Sequence, residues 1–320
     1  MYSNPFAPPL TTFQKDVAAG LLAHPKRLSS KYFYGGSGDK LFARIMELPE
    51  YYLTRCEYDI LLTNASEILQ ATNFESGPFE IVELGAGNGL KTRILLREAL
   101  RQAREVTYVP LDISADCLRQ LQTSLSGDLP TCPVRPYALD YTRDPLPASN
   151  QPRLWLYLGS NIGNYALAEA GLFLQRLSHQ MGSRDKILIG FDLHKSPEII
   201  LPAYNDVQGV TAEFNLNLLR RINEECGGNF DPRRFVHAPR YDTKLQRAES
   251  YLRSVTRQWV VLADLGLEIE FEPGETIFTE ISQKYTFETI AALLSEAGLT
   301  LQAVFTDTRQ YYTNVLCAKS

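Results

Sequence analysis

Five short apolar runs, Phe79–Leu84, Val106–Leu111, Val134–Leu139, Leu154–Leu158 and Ile187–Asp192, succeed one another along the chain. Between them lie segments of a different period, among them TRILLREALRQA, SADCLRQLQTSL and LAEAGLFLQRLSHQM, with apolar residues three and four positions apart. The runs read as strands and the intervening segments as helices with one apolar stripe. Strands alternating with helices are joined by crossovers, which makes the sheet parallel and covers both its faces. In such a sheet a ligand sits outside the carboxyl ends of the strands. Chemistry is therefore expected in the residues just after each run.

The alternation stops near Ser196. From Pro197 to about Arg257 the chain reads as helical and irregular, with GVTAEFNLNLLRRINEEC its clearest helix. LEIEFEPGETIFTEIS then reads as two strands joined at Pro273-Gly274. TFETIAALLSEAG reads as a helix with Thr286 as N-cap and Gly298 as its stop, and LTLQAVFTDTRQYYTNVLCA as a closing hairpin. The opening segment, to about residue 60, is mostly helical in pattern. A parallel α/β core is thus expected to be interrupted by a second unit, assembled from the N-terminal segment and the 197–285 insertion. With 320 residues, 44% of them hydrophobic, the chain can bury cores of that size.

Composition excludes several partners. A net charge of −5 argues against nucleic acid or an anionic membrane, since both demand a basic face. Arg97, Arg101 and Arg104 recur at helical spacing and read as a solvated helix face. No apolar run approaches membrane-spanning length, and MYSNPFAPPLTTFQ lacks a basic-then-apolar signal. Cys56, Cys117, Cys132, Cys226 and Cys317 are scattered without a CxxC, as expected of reduced thiols in a cytoplasmic protein. His24, His179, His194 and His237 form no metal-binding pair, so no metal is expected. The chain has no internal repeat and is compatible with a monomer.

The first run ends in FEIVELGAGNGLKT, where three glycines follow an acidic residue, Glu83, in the spacing G-x-G-x-G (Gly85, Gly87, Gly89). A glycine turn between strand and helix is by itself a weak signal for a bound nucleoside. Asp112, closing the second run, strengthens it, because a carboxylate there can grip ribose hydroxyls. Asp140, in YALDYT, is available to accept from an adenine amino group. Dinucleotide sites favour G-x-G-x-x-G, which aims a helix N-terminus at a pyrophosphate. S-adenosylmethionine (SAM) has no phosphate but carries a sulfonium and an amino acid end, and it suits an acid-rich cradle. The motif favours SAM over a nicotinamide.

YFYGGSGDKLFARIMELPEYYLTRCEYDIL, ELGAGNGLKTR, YLGSNIGNY, YNDVQGVTAEFN and GETIFTEISQKY together closely resemble the histidine-specific SAM-dependent methyltransferases of ergothioneine biosynthesis, in the same order, from about Phe13 to Ala318. The resemblance implies an α/β fold with a Rossmann-like methyltransferase core, a mostly parallel seven-stranded sheet with an antiparallel last strand, at 61–195 plus 286–320. It implies a substrate-binding domain at 1–60 plus 196–285. SAM is then held by Gly85, Gly87, Lys91, Asp112, Asp140 and Tyr141, with Gly159 and Ser160 of the YLGSNIGNY block beside them. L-histidine is held by Tyr51, Asn164, Tyr204, Glu280 and Ser282; Thr211 can add a third contact to its carboxylate, and Ser250 is expected near its imidazole. The implied reaction is three methyl transfers to the α-amine, giving hercynine; the proton that the amine must lose before each transfer is expected to leave through water or a tyrosine hydroxyl, Tyr34 or Tyr51.

Side-chain chemistry agrees with those roles. The Asn164 amide and the Tyr204 hydroxyl are neutral donors suited to a carboxylate. Glu280 and Ser282 stand two apart in a strand and so share a face, where an acceptor and a hydroxyl can clamp both nitrogens of an imidazole. An apolar side chain would leave the carboxylate unpaired, at a cost of roughly 1–3 kcal/mol. Each residue also has a structural reading: Asn164 as a helix cap, Glu280 paired with a surface lysine such as Lys284, tyrosines as packing. The chain departs from the family at Asn161, where threonine is common, in its glycine-rich YFYGGSGDKLF, and at Ser250, where a larger apolar residue is expected. These departures leave open a ring nitrogen of histidine or another aromatic amino acid as acceptor. A non-catalytic SAM- or amino-acid-binding protein and a nicotinamide oxidoreductase are the readings of other classes.

Overall fold

The computed structural model describes residues 9–74 and 77–320. They fall into two compact units. One, here the sheet unit, is Tyr52–Ser196, Lys244–Gln246 and Ser282–Ser320; the second unit is the chain up to Tyr51, Pro197–Thr243 and Arg247–Ile281. The sequence puts the divisions near 60, 195 and 285. The helix Tyr52–Ala71 runs unbroken across position 60 and is counted whole with the sheet unit.

In the sheet unit, β1 (Phe79–Leu84), β2 (Val106–Asp112), β3 (Tyr137–Ala138), β4 (Arg153–Tyr157) and β5 (Lys186–Asp192) are parallel. The antiparallel hairpin Leu299–Thr306/Tyr312–Lys319 extends them, with Tyr312–Lys319 also running antiparallel to β5. The sheet has seven strands, in the order hairpin, β5, β4, β1, β2, β3. All six residues of β1 are buried, as a strand covered on both faces requires. Its two carboxylates are therefore satisfied internally: Glu80 by Arg135 and by Arg153 Nε (2.9 Å), Glu83 by the Tyr108 hydroxyl. Val82, Trp155, Leu174, Ile189, Leu293 and Val315 belong to the apolar core. Thr286 caps the helix Phe287–Glu296, and Gly298 follows it in a left-handed conformation. The third run yields only Tyr137–Ala138, not Val134–Leu139. Pro133 and Pro136 remove ladder donors there, and Val134 keeps a single bridge to Tyr108.

The second unit packs Phe13, Val17, Leu21, Phe33, Leu218 and Phe271 into its own core around the helix Val210–Cys226. The stretch read as irregular holds three strands, Phe235–His237, Arg240–Asp242 and Arg247–Ser254, which join Thr276–Gln283 in a four-stranded sheet. RAESYLRS hides its strand character because Glu249 looks like a surface charge. It is buried, and meets Arg240 Nε (2.6 Å), Arg247 Nη2 (2.6 Å) and the Tyr251 hydroxyl (2.7 Å). Leu267–Phe271 and Thr276–Gln283 are both strands, as expected, but they do not pair with each other. Leu267–Phe271 pairs with Gln258–Leu262 instead.

Candidate active site

In the sheet unit β1 runs into a turn in which Gly85, Gly87 and Gly89 have φ of 75°, 52° and 65°. The Gly85 and Ala86 amides donate to the Leu111 carbonyl (2.8 and 3.1 Å), which lays the turn across the carboxyl end of β2. At Gly89 a Cβ would also sit 2.7 Å from Leu121, so space as well as conformation demands glycine. Asp112, the last residue of β2, is locked to this turn. Its Oδ2 accepts from Gly87 N (3.1 Å) and its Oδ1 from Ser114 N (2.9 Å). Asp140 closes its own small turn, accepting from the amide and hydroxyl of Thr142 (3.0 and 2.5 Å). A Cβ on Gly85 would lie 3.6 Å from the Tyr141 hydroxyl. Burial raises the Tyr141 pKa, so that hydroxyl stays protonated and can donate.

Lys91 precedes the helix Thr92–Arg101, and its Nζ is 2.5 Å from Glu57 Oε2. The Gly159 amide donates to the same oxygen (2.7 Å). Beyond it, Ser160 is left-handed (φ 56°) and accepts at Oγ from Asp192 N (3.2 Å). Asn164 ends the short 3-10 turn Asn161–Asn164. It does not cap the next helix: Leu167–Gln180 starts from Ala166, whose amide donates to Glu169 (3.1 Å).

Asp192, fully buried at the end of β5, collects two lysines and a tyrosine. Lys195 Nζ is 2.5 Å from Oδ1, Lys284 Nζ 2.7 Å from Oδ2, and the Tyr52 hydroxyl 2.8 Å from Oδ2. Burial pushes the Asp192 pKa up, but the two ammonium groups outweigh it and carry it below the ordinary carboxylate range. Lys284 is thus no surface lysine: it is 1% exposed and also donates to Ser282 Oγ (2.7 Å).

In the second unit four rings meet. Tyr34 lies 5.2 Å from Phe42 and 5.8 Å from Phe214, and Phe42 lies 6.2 Å from Tyr51, centre to centre. Arg221 steadies Tyr34 by donating to its carbonyl (2.5 Å). Thr211 is the second residue of the helix Val210–Cys226, which also carries Phe214. Asp206 accepts from Val210 N (2.9 Å) and Thr211 N (2.7 Å) at its start, where a carboxylate is favoured. The Tyr204 carbonyl accepts from His237 Nε2 (2.9 Å), which gives that histidine a structural role. Ser250 is buried, its carbonyl 3.0 Å from the Thr279 hydroxyl, next to Glu280 on its strand.

No group of His, Cys, Asp and Glu able to hold a metal occurs among the described residues, and no helix there is long and apolar enough to cross a membrane. The family model described as histidine-specific methyltransferase, SAM-dependent, matches residues 13–319. The chain belongs to this family. A histidine N-alpha-methyltransferase of Mycolicibacterium smegmatis is 38% identical over 297 residues, covering 92% of this chain and 91% of that one. Ergothioneine biosynthesis protein 1 of Neurospora crassa is 34% identical over 306 residues, 92% of this chain and 33% of that protein. A 4-dimethylallyltryptophan N-methyltransferase of Trichophyton verrucosum is 29% identical over 310 residues, 89% of this chain and 87% of that one.

Membership makes the protein a SAM-dependent methyltransferase, and the sheet unit fits that cofactor. Asp112 ends β2, Asp140 follows β3, and Lys91, after β1, is ion-paired with Glu57. Such a cradle suits a sulfonium with a zwitterionic tail. Three supporting residues escaped the sequence reading. Asp192 ends an apolar run just as Asp112 does, so the strand-end rule points to it. Glu57 and Asp206 carry no such signal, because their partners are distant in sequence or unremarkable in type.

Proposed function

We propose that the protein transfers three methyl groups from SAM to the α-amine of L-histidine, giving hercynine. The observation that carries this reading is the family match across residues 13–319 with Glu280 and Ser282 both retained on one face of a strand. Gly85, Gly87, Lys91, Asp112, Asp140, Tyr141, Gly159 and Ser160 are the proposed SAM contacts. Tyr51, Asn164, Tyr204, Thr211, Ser250, Glu280 and Ser282 are the proposed histidine contacts. The proposed setting is the cytoplasm, supported by five unpaired cysteines.

Bound SAM supplies an electrophilic methyl group for in-line displacement, so the protein's task is alignment and proton removal. Asn164 and Tyr204 present neutral donors to the substrate carboxylate. Lys284 is an ammonium and can only donate, so the proton of the Ser282 hydroxyl is directed away from it. That supports Ser282 as a donor to the lone-pair nitrogen of a neutral imidazole, with Glu280 accepting from the other nitrogen. Tyr34 and Tyr51 relay the proton that the α-amine must lose before each transfer. The rings of Tyr34, Phe42, Tyr51 and Phe214 offer faces to a growing quaternary ammonium.

Asn164→Asp tests the carboxylate end. It would set one carboxylate against another, and calorimetry with S-adenosylhomocysteine present should detect no histidine binding. A KM for histidine as low as that of the unaltered protein would contradict the assignment. A second reading, another aromatic amino acid as acceptor, draws support from Ser250 and from the dimethylallyltryptophan-methylating relative.

A further inference from the structure

Glu57 lies on the helix Tyr52–Ala71 and is fully buried, yet it touches both turns assigned to the cofactor. Its carboxylate takes four donors. Tyr312 Oη and Asn314 Nδ2, from the strand Tyr312–Lys319, each approach Oε1 at 3.0 Å. Lys91 Nζ and Gly159 N approach Oε2 at 2.5 and 2.7 Å. The first two fix the carboxylate to the sheet; the other two belong to the segments that follow β1 and β4. Gly190 on β5 makes room for this arrangement, since a Cβ there would collide with Glu57 Oε1 and the Tyr312 hydroxyl.

Lys91 spends one of its three N–H donors on Glu57 and keeps a partly exposed side chain. An ammonium recruits anions, and SAM has a single anionic group, the carboxylate of its amino acid end. We propose that Glu57 is a positioning residue for that end of SAM, holding Lys91 and the Gly159 turn ready to receive it. This rests on the reading of Lys91 and Gly159 as SAM contacts.

The test is calorimetry on the full chain with two probes. S-adenosylhomocysteine carries the amino acid end, whereas 5′-methylthioadenosine has the same nucleoside without it. Glu57→Gln presents at best one acceptor oxygen to four donors. It should weaken S-adenosylhomocysteine by about tenfold or more, as expected for losing a charged hydrogen-bond partner, and leave methylthioadenosine unchanged. Equal weakening of both probes would mean a general structural role and overturn the proposal, as would no change in either. Tyr312→Phe removes one fixing donor and keeps the ring. It should shift the ratio of the two affinities the same way by less, and it decides the matter if Glu57→Gln does not fold. Lys91→Met separates the two layers. If it spares S-adenosylhomocysteine, the reading of Lys91 is at fault; if it weakens that probe while Glu57→Gln does not, only the positioning role falls.

Discussion

In the sheet unit three candidate residues rest on buried ions: Lys91 and Gly159 on Glu57, and Ser282, through Lys284, on Asp192. In the second unit Tyr34, Tyr51 and Thr211 rest instead on rings and one helix start, with Tyr34, Phe42, Tyr51 and Phe214 packed together and Asp206 holding the first turn of the helix that carries Thr211 and Phe214. The two kinds of support fail differently. Removing one member of a buried ion cluster strands the rest as uncompensated charges. Trimming a ring cluster, or a helix cap, loses contacts in proportion to what is cut.

The comparison is broken most severely at Asp192. Asp192→Ala should destabilise the protein by about 3–5 kcal/mol, because Lys195 and Lys284 would remain buried without their anion. Urea denaturation measures this, and a loss no larger than a surface substitution gives would refute the importance of the cluster.

A smaller effect is expected from pH. Burial raises the Glu83 pKa from 4.5 to about 7, against the hydrogen bond from Tyr108, which lowers it. A carboxyl group whose folded pKa lies above its unfolded one favours folding while protonated. Its contribution is full below about pH 4.5 and is lost as pH rises through about 7. Over that window stability should fall by at most about 1.4 kcal/mol per pH unit on account of this group. Glu83→Gln should flatten that part of the curve, and an unchanged slope would show that Glu83 does not titrate there.

The smallest effect belongs to the second unit. Asp206→Ala should cost about 1 kcal/mol, as removal of a helix-start acceptor generally does. It should also raise the KM for histidine while leaving SAM affinity intact. Equal damage to both ligands would mean that the two units are not supported independently.

The same contrast explains what was legible in the sequence. A strand, a glycine turn and a helix carry their own geometry, so Gly85, Gly87 and Asp112 could be read together, and the structure links them within one turn. Thr286 and Gly298 were readable for the same reason. The strand Arg247–Ser254 was not, because its buried Glu249 is neutralised by Arg240 from a neighbouring strand. Lys284 looked like a surface residue until Asp192, ninety-odd positions away in the chain, was seen to bury it. Glu57 sits inside a quoted block, LTRCEYDIL, yet its four partners lie between residues 91 and 314. Local motifs are visible in sequence; long-range ion partners are not.

Methylation of the histidine α-amine is read out by product analysis. Purified protein is incubated with SAM and a panel containing histidine, tryptophan and tyrosine, and the products are fragmented in a mass spectrometer to locate each added methyl. The expected product is histidine carrying three methyl groups, all on the α-nitrogen. Methyl groups on the imidazole ring, or on tryptophan or tyrosine in preference to histidine, would contradict it.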